Sequence, residues 1–259
     1  MDKRDREILQ FTVDAGILLL ANGAETFRAQ QTMVYIAKNL GAEGFEAYVL
    51  TNGIIASLKG DSAHAQVRHS PRNGMHMGRV EAINEMSREI ANGVLDLDGA
   101  KVRLEQVRAM PDMTVRDQVL ACAAGSVCFG YIFGGNVLEC LIAGAVGGMV
   151  QYAMVMLART GMNRIFARLA SAAMLVCAVS LVQVICAWLD VETTAIGALM
   201  PLTPGVAVTM GIRDYVSGDY LAGTIRLIDA LFAAGSVAIG VGAALGLVNL
   251  LGGGLVLWN

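Results

Sequence analysis

Charge is distributed so unevenly along this chain that two different solvents are implied for its two parts. Up to Arg116 the sequence holds 14 of its 19 Lys and Arg and 15 of its 22 Asp and Glu, which leaves 5 and 7 for everything after it. The remainder contains five apolar segments, 119–135, 137–158, 169–189, 193–212 and 227–251, each about 17 to 25 residues long. A helix of that length crosses the roughly 30 Å hydrocarbon layer of a bilayer. With 55% apolar residues and a mean hydropathy of +0.56, the chain is too apolar for an ordinary soluble domain. The pattern predicts a membrane protein: a cytoplasmic α/β domain of helices plus a small antiparallel sheet over 1–112, then a transmembrane domain of five spans over 113–259.

The charged part has a net charge of 14 − 15 = −1 and scattered basic residues. It lacks the basic stripe that nucleic acid requires, so that class of function is set aside. The N-terminus, MDKRDREILQ, is charged, and the apolar run 15–21 is short and followed by Asn22-Gly23. No secretory signal is expected. Cys122, Cys128, Cys140, Cys177 and Cys186 all lie in apolar segments without a CxxC pair, as small hydrophobic residues of a core would.

Within 1–112, Ile8, Phe11, Ala15 and Leu18 form one helical stripe and Ala29, Met33, Ile36 and Leu40 a second. The period then changes: 45–50, the pair Asn52-Gly53 and 54–58 read as a hairpin closed by a type I′ turn, with a further short strand near 66–69. Val80, Ile83, Met86 and Ile90 mark a third helix, and Leu97, Ala100, Leu104 and Val107, capped by Asp96, a fourth.

Orientation follows from the loops. Arg159, Arg164 and Arg168 lie between the second and third apolar segments and Arg213 and Arg226 between the fourth and fifth, whereas the intervening loops and the tail after Leu251 have no Lys or Arg. The positive-inside rule then puts the N-terminus in the cytoplasm and the C-terminus outside. Small residues in the second segment (Gly144, Gly147, Gly148) and the fifth (Gly240, Gly242, Gly246) offer faces for close helix approach and for assembly into an oligomer.

Pro201 and Pro204 break the fourth segment. Each removes a backbone donor, and Gly205 permits close approach or a positive φ, so the chain is expected to unwind here and to offer polar backbone groups to a solute. Glu139 and Asp229 are carboxylates inside apolar segments and are candidates for proton coupling, with an ion pair of Asp229 and Arg226 as the plainer alternative. Glu25 and Arg28, beside Gly23, Ala24 and Thr26, stand at a helix start, where a carboxylate suits the helix dipole. His64, His69 and His76 match no metal-ligand spacing, and GxSxG and HExxH are absent. No catalytic residue, metal or cofactor is expected.

Three stretches, "ANGAETFRAQQ", "RNGMHMGRVEAINEMSREIANG" and "LMPLTPGVAVTMGIRDYVSGDYLAGTIRLIDAL", resemble the N-terminal, YjjP-like module of the bacterial threonine/serine exporter family. Gly23, Ala24, Glu25, Thr26 and Arg28 match the first motif and Gly74 and Asn84 the second. Pro204, Gly205, Thr209, Arg213, Asp214, Gly218, Gly223 and Arg226 match the third. The chain departs from the pattern at Ala207, where the family often has proline, and at Met210, where it has asparagine.

The resemblance implies one subunit of a two-component exporter in the bacterial inner membrane. It would move small polar metabolites, hydroxy amino acids or dicarboxylates, on the proton gradient, and work with a second small multi-span module supplied on the same chain or separately. Pro204, Gly205, Thr209, Arg213 and Arg226 would then bind solute, with Asp214, Asp229 and Glu139 as proton carriers. The rival readings are a membrane-anchored hydrolase built on Glu25, Arg28 and the histidines, and a regulatory subunit whose first domain senses a ligand.

Overall fold

A computed structural model describes residues 3–58, 65–70 and 74–251. His64 and the tail beyond residue 251, invoked above, lie outside the described residues. The chain forms two compact units. The first combines Met1–Asp112 with Thr209–Leu227, and the second combines Met113–Val208 with Ile228–Asn259.

The first unit begins with α1 (Lys3–Ala21) and α2 (Thr26–Asn39), continues through strands β1 (Phe45–Leu50), β2 (Gly53–Leu58) and β3 (Gln66–His69), and adds α3 (Met77–Ala91) and α4 (Leu97–Arg108). Its core is assembled from the stripes of all four helices. Ile8 and Leu19 of α1, Met33 and Ile36 of α2, Ile54 of β2, and Ile83 and Met86 of α3 are each at most 1% exposed. α1 is buried over more of its circumference than one stripe, because Leu9, Val13 and Ala15 are enclosed as well. Gly16 explains the close fit: a Cβ there would lie 2.3 Å from Met33 Sδ. Asp96 caps α4 as expected, accepting from Gly99 N at 2.8 Å.

The three strands form an antiparallel sheet in the order β1-β2-β3. One detail of the hairpin differs from the expectation. Leu50 pairs with Gly53, so the turn residues are Thr51 and Asn52, not Asn52-Gly53. No non-glycine residue has a positive φ among the described residues, which rules out type I′ geometry at this turn. Gly53 instead opens β2 where it faces β3, and a Cβ there would press on Arg68 O at 3.0 Å. The glycine serves cross-strand approach.

The second unit contains α5 (Val115–Ile132), α6 (Val137–Arg159), α7 (Arg164–Ile185) and α8 (Val191–Leu199). A 3-10 turn over Met200–Leu202 follows, then the start of α9 (Gly205–Val216), and later the greater part of α10 (Tyr220–Leu251). α6, α7 and α10 are long and apolar enough to cross a membrane, and α8 through α9 could count as a fourth span bent by 53°. α5 is where five expected spans and this structure part. Its first turn holds Arg116, Asp117 and Gln118, which leaves about 14 residues, or roughly 21 Å of apolar helix.

Small residues pack this unit from within. A Cβ on Gly144 would meet Val127 and Ala123 of α5, one on Gly147 would meet Ser126 Oγ at 2.1 Å, and one on Gly197 would meet the backbone of Gly130 at 2.8 Å. The Gly144, Gly147 and Gly148 face expected to serve assembly is therefore occupied by α5 of the same chain. Gly240 is likewise pressed on Leu169 O, whereas Gly242 and Gly246 meet nothing within 4 Å. Of the cysteines, only Cys140 is buried, and Cys128 and Cys177 are exposed on this chain.

Candidate functional site

The break in the fourth apolar segment is present, and its polar groups are largely accounted for locally. After Pro201 the 3-10 turn closes with Thr203 N donating to Met200 O at 3.0 Å, and Thr203 Oγ1 donates to the same carbonyl at 2.6 Å. Pro204 then starts α9, its carbonyl accepting from Val208 N at 3.1 Å. Gly205 does not have a positive φ and a Cβ on it would touch nothing within 4 Å. Gly205 thus uses neither the positive φ nor the close approach that a glycine permits, and the two missing proline donors suffice to break the helix.

Glu139 has an architectural place. Asn136 and Glu139 form a reciprocal capping box at the start of α6. Asn136 N donates to Glu139 Oε2 at 2.8 Å, and Asp190 N donates to Oε1 at 3.2 Å. Both carboxylate oxygens thus hold helix starts together. Asp190 in turn caps α8, with Thr193 Oγ1 donating to its Oδ2 at 2.6 Å. That bond, with the backbone N–H groups of Thr193 and Glu192, holds the Asp190 carboxyl below its usual range.

In the first unit, the C-terminal half of α9 and the first turns of α10 form a tight helical hairpin. Gly218 turns it with φ +84°. At Gly223 a Cβ would meet the Tyr215 ring at 2.4 Å and Gly211 O at 3.0 Å, so only glycine lets the two helices touch. Asp219 caps α10, accepting from Ala222 N at 3.0 Å.

This hairpin is bound to the start of α2. Arg213 Nη1 donates to Glu25 Oε1 at 2.8 Å, Thr26 Oγ1 donates to Asp219 Oδ2 at 2.8 Å, and Arg226 Nη2 donates to Ala24 O at 3.3 Å. These partners are between 188 and 202 residues apart in sequence. Glu25 occupies the N-cap position of α2 but makes no capping bond, because its carboxylate is directed at Arg213. Arg226 Nε lies 2.9 Å from Asp214 Oδ2, while neither atom has a partner in line for a hydrogen bond. The contact is an ion pair whose N–H is misaligned. Asp214 is 3% exposed, so its charge depends on this guanidinium. Thr209 lies on the same helix, and Asp229 sits further along α10 in the second unit, on an exposed face.

Beside this network a cavity of about 370 Å³ opens between α2 and α3. Gly23, Glu25, Arg28 and Thr32 line one side, Val80, Asn84 and Arg88 the other, and Met210 completes it. Of the histidines of the hydrolase reading, the two that are described, His69 and His76, do not line it. His69 ends β3, and His76 caps α3, its Nδ1 accepting from Arg79 N at 3.1 Å.

Sequence reasoning missed Arg79. This half-buried side chain donates to Asn22 Oδ1 at 3.2 Å, donates to Met110 O and pairs with Asp112 at 3.0 Å. It joins the ends of α1 and α4. The available signal was Asn22-Gly23: Gly23 has φ +90° and ends α1 as a helix C-terminal glycine does.

Comparison with known proteins follows the same residues. A family model, ThrE, described as "Putative threonine/serine exporter", matches residues 10–248. A "Probable threonine/serine exporter" from Mycobacterium tuberculosis is 22% identical over 244 residues, which cover 93% of this chain and 46% of that protein. The chain thus spans about half the length of this curated relative. No solved structure matches it.

Proposed function

The chain belongs to the threonine/serine exporter family, and from that premise we propose that it is one module of a secondary transporter exporting small polar metabolites across the bacterial inner membrane. Hydroxy amino acids such as threonine and serine, or dicarboxylates, are the solutes. The module works with a second multi-span partner of the same family, and the assembly is oligomeric. Five spans run from a cytoplasmic N-terminus to an external C-terminus, α5 crossing with the help of partner surface.

The observation that carries the mechanism is the buried Asp214–Arg226 pair, tied to Ala24. A buried carboxylate held by a single guanidinium is a natural proton carrier. Protonating Asp214 removes the attraction and frees Arg226 to take a solute carboxylate, and deprotonation restores the pair. Proton and solute would then enter the site together and leave it together, so that the movement of one is tied to that of the other. Asp229 is the second proton carrier, Arg213 a second carboxylate ligand when Glu25 releases it, and Pro204, Gly205 and Thr209 line the path. Glu139 belongs to the scaffold.

Counterflow of labelled threonine or succinate into vesicles holding this chain and its partner module tests the reading. Uptake against an unlabelled internal pool is expected, and equal uptake by protein-free vesicles for every solute tried would overturn it. Orientation is tested by a reporter active only outside the cytoplasm: fused after Trp258 it should work, and fused after Met162 it should fail.

A further inference from the structure

The cavity between α2 and α3 is electrostatically unbalanced. Three charged side chains line it, Glu25, Arg28 and Arg88. Glu25 is already neutralised by Arg213 at 2.8 Å. Elsewhere in this unit Arg79 and Arg226 each meet a carboxylate within 3.0 Å. The side chains of Arg28 and Arg88, both exposed to solvent, have no ion-pair or hydrogen-bond partner among the described residues. Glu85, one turn before Arg88 on α3, faces Arg103 instead, at 3.9 Å. Two positive charges therefore share one cavity without compensation.

Their placement is specific. His76 N donates to Asn22 O just before α3 and α2 begin, and Thr32 of α2 meets Asn84 of α3 at 3.3 Å about two turns later. The two helices run side by side in the same direction. Arg28 lies one turn before that contact and Arg88 one turn after it, about 12 Å apart along the helix direction. Long side chains at these positions can reach toward a shared ligand from its two ends. Between them, Asn84 meets the Thr32 hydroxyl at 3.3 Å, whose proton also reaches Arg28 O at 2.9 Å, and Asn84 Nδ2 has no acceptor among the described residues.

We propose that this cavity is a binding site for a small dianion, with Arg28 and Arg88 each holding one negatively charged end and Asn84 donating between them. A guanidinium binds carboxylate or phosphate through parallel N–H groups. The volume of about 370 Å³ is within the range of small-molecule pockets and exceeds that of a four-carbon diacid, so ordered water completes the shell. Met210 closes the wall with an apolar thioether, its sulfur 3.5 Å from Arg226 Nη1. Nothing on that wall supplies a carboxylate for an ammonium group, and the Glu25 charge is engaged. A zwitterionic amino acid is thus a poorer fit than a dianion. The site does not depend on the transport reading, since binding can be measured whether or not the chain moves any solute.

Calorimetric titration of the purified full chain in detergent, at low ionic strength, tests this with four probes: succinate, inorganic phosphate, acetate and threonine. Succinate or phosphate should bind saturably and at least 10-fold more tightly than acetate or threonine, and affinity should fall as salt rises. The tighter of the two dianions identifies a dicarboxylate or a phosphate as the ligand chemistry. Arg28→Gln and Arg88→Gln, shown to be folded by unchanged helical circular dichroism, should each weaken the tighter dianion at least 10-fold. Arg108→Gln, whose partner is Glu105 on the far turn of α4, should leave it unchanged. No saturable binding, threonine binding as tightly as either dianion, or unchanged affinity in both Arg28→Gln and Arg88→Gln would overturn the site.

Discussion

The hairpin of α9 and α10 in the first unit and the α5–α6–α8 packing in the second unit are held by opposite means. The hairpin is fastened to the start of α2 by charge and hydrogen bonds, through Glu25–Arg213, Ala24–Arg226 and Thr26–Asp219, and is closed on itself by Asp214–Arg226. The helices of the second unit are fastened by the absence of side chains, at Gly144, Gly147 and Gly197. Charge pairs can be opened and reformed by a proton or a competing anion. Backbone held against backbone has no such second state. On the proposed mechanism switching belongs to the first unit and rigidity to the second, and each can be broken separately.

The largest effect should come from the packed glycines. In Gly197→Val the added carbons would overlap Gly130 backbone, so the helices must separate. Overpacking costs about 1–3 kcal/mol in ordinary cores, and a backbone contact has less room to relax. Loss of a monodisperse peak on size exclusion, with little protein recovered, is expected, and wild-type behaviour would show that α5 and α8 do not pack this way.

Next comes Asp214→Ala, which leaves Arg226 mostly buried without its carboxylate. About 3–5 kcal/mol is the usual cost of such a removal. Adding Arg226→Met should recover most of it in a denaturant titration, since a paired deletion leaves no orphan charge. Equal destabilisation in the single and double variants would mean that the two side chains do not interact.

Glu25→Gln should be mild. Arg213 is 57% exposed, and exposed pairs contribute about 0–1 kcal/mol, so a small change in midpoint is the expected result. Of similar size but opposite sign is Gly205→Ala. With no positive φ and open space around it, this substitution should stabilise by about 0.4–1 kcal/mol through the unfolded chain. A loss above 1 kcal/mol would indicate a tight contact at Gly205 after all.

Periodic features were legible in the sequence. The stripes of α1 to α4, the Asp96 cap and the proline break depend on neighbours a few residues away, and the structure keeps them. What escaped depends on partners far along the chain. Glu25 resembled a helix-start carboxylate until Arg213 took it, and Gly53 resembled a turn residue until β3 approached. Gly144 and Gly147 were legible as a small-residue face, but nothing local reveals that α5 fills it. The pairing of the first and third sequence motifs, 188 to 202 residues apart, and the Asn22–Arg79 contact gave no periodic signal at all.

Transport of threonine or succinate by vesicles containing this chain and its partner module, compared for wild type and Asp214→Asn, tests the switching role of the first unit most directly. Asparagine keeps the shape and removes the titration. If Asp214 is the proton carrier, a folded Asp214→Asn assembly should still bind solute yet lose acceleration of efflux by an imposed pH gradient. Wild-type efflux rates with wild-type pH dependence in that variant would contradict it.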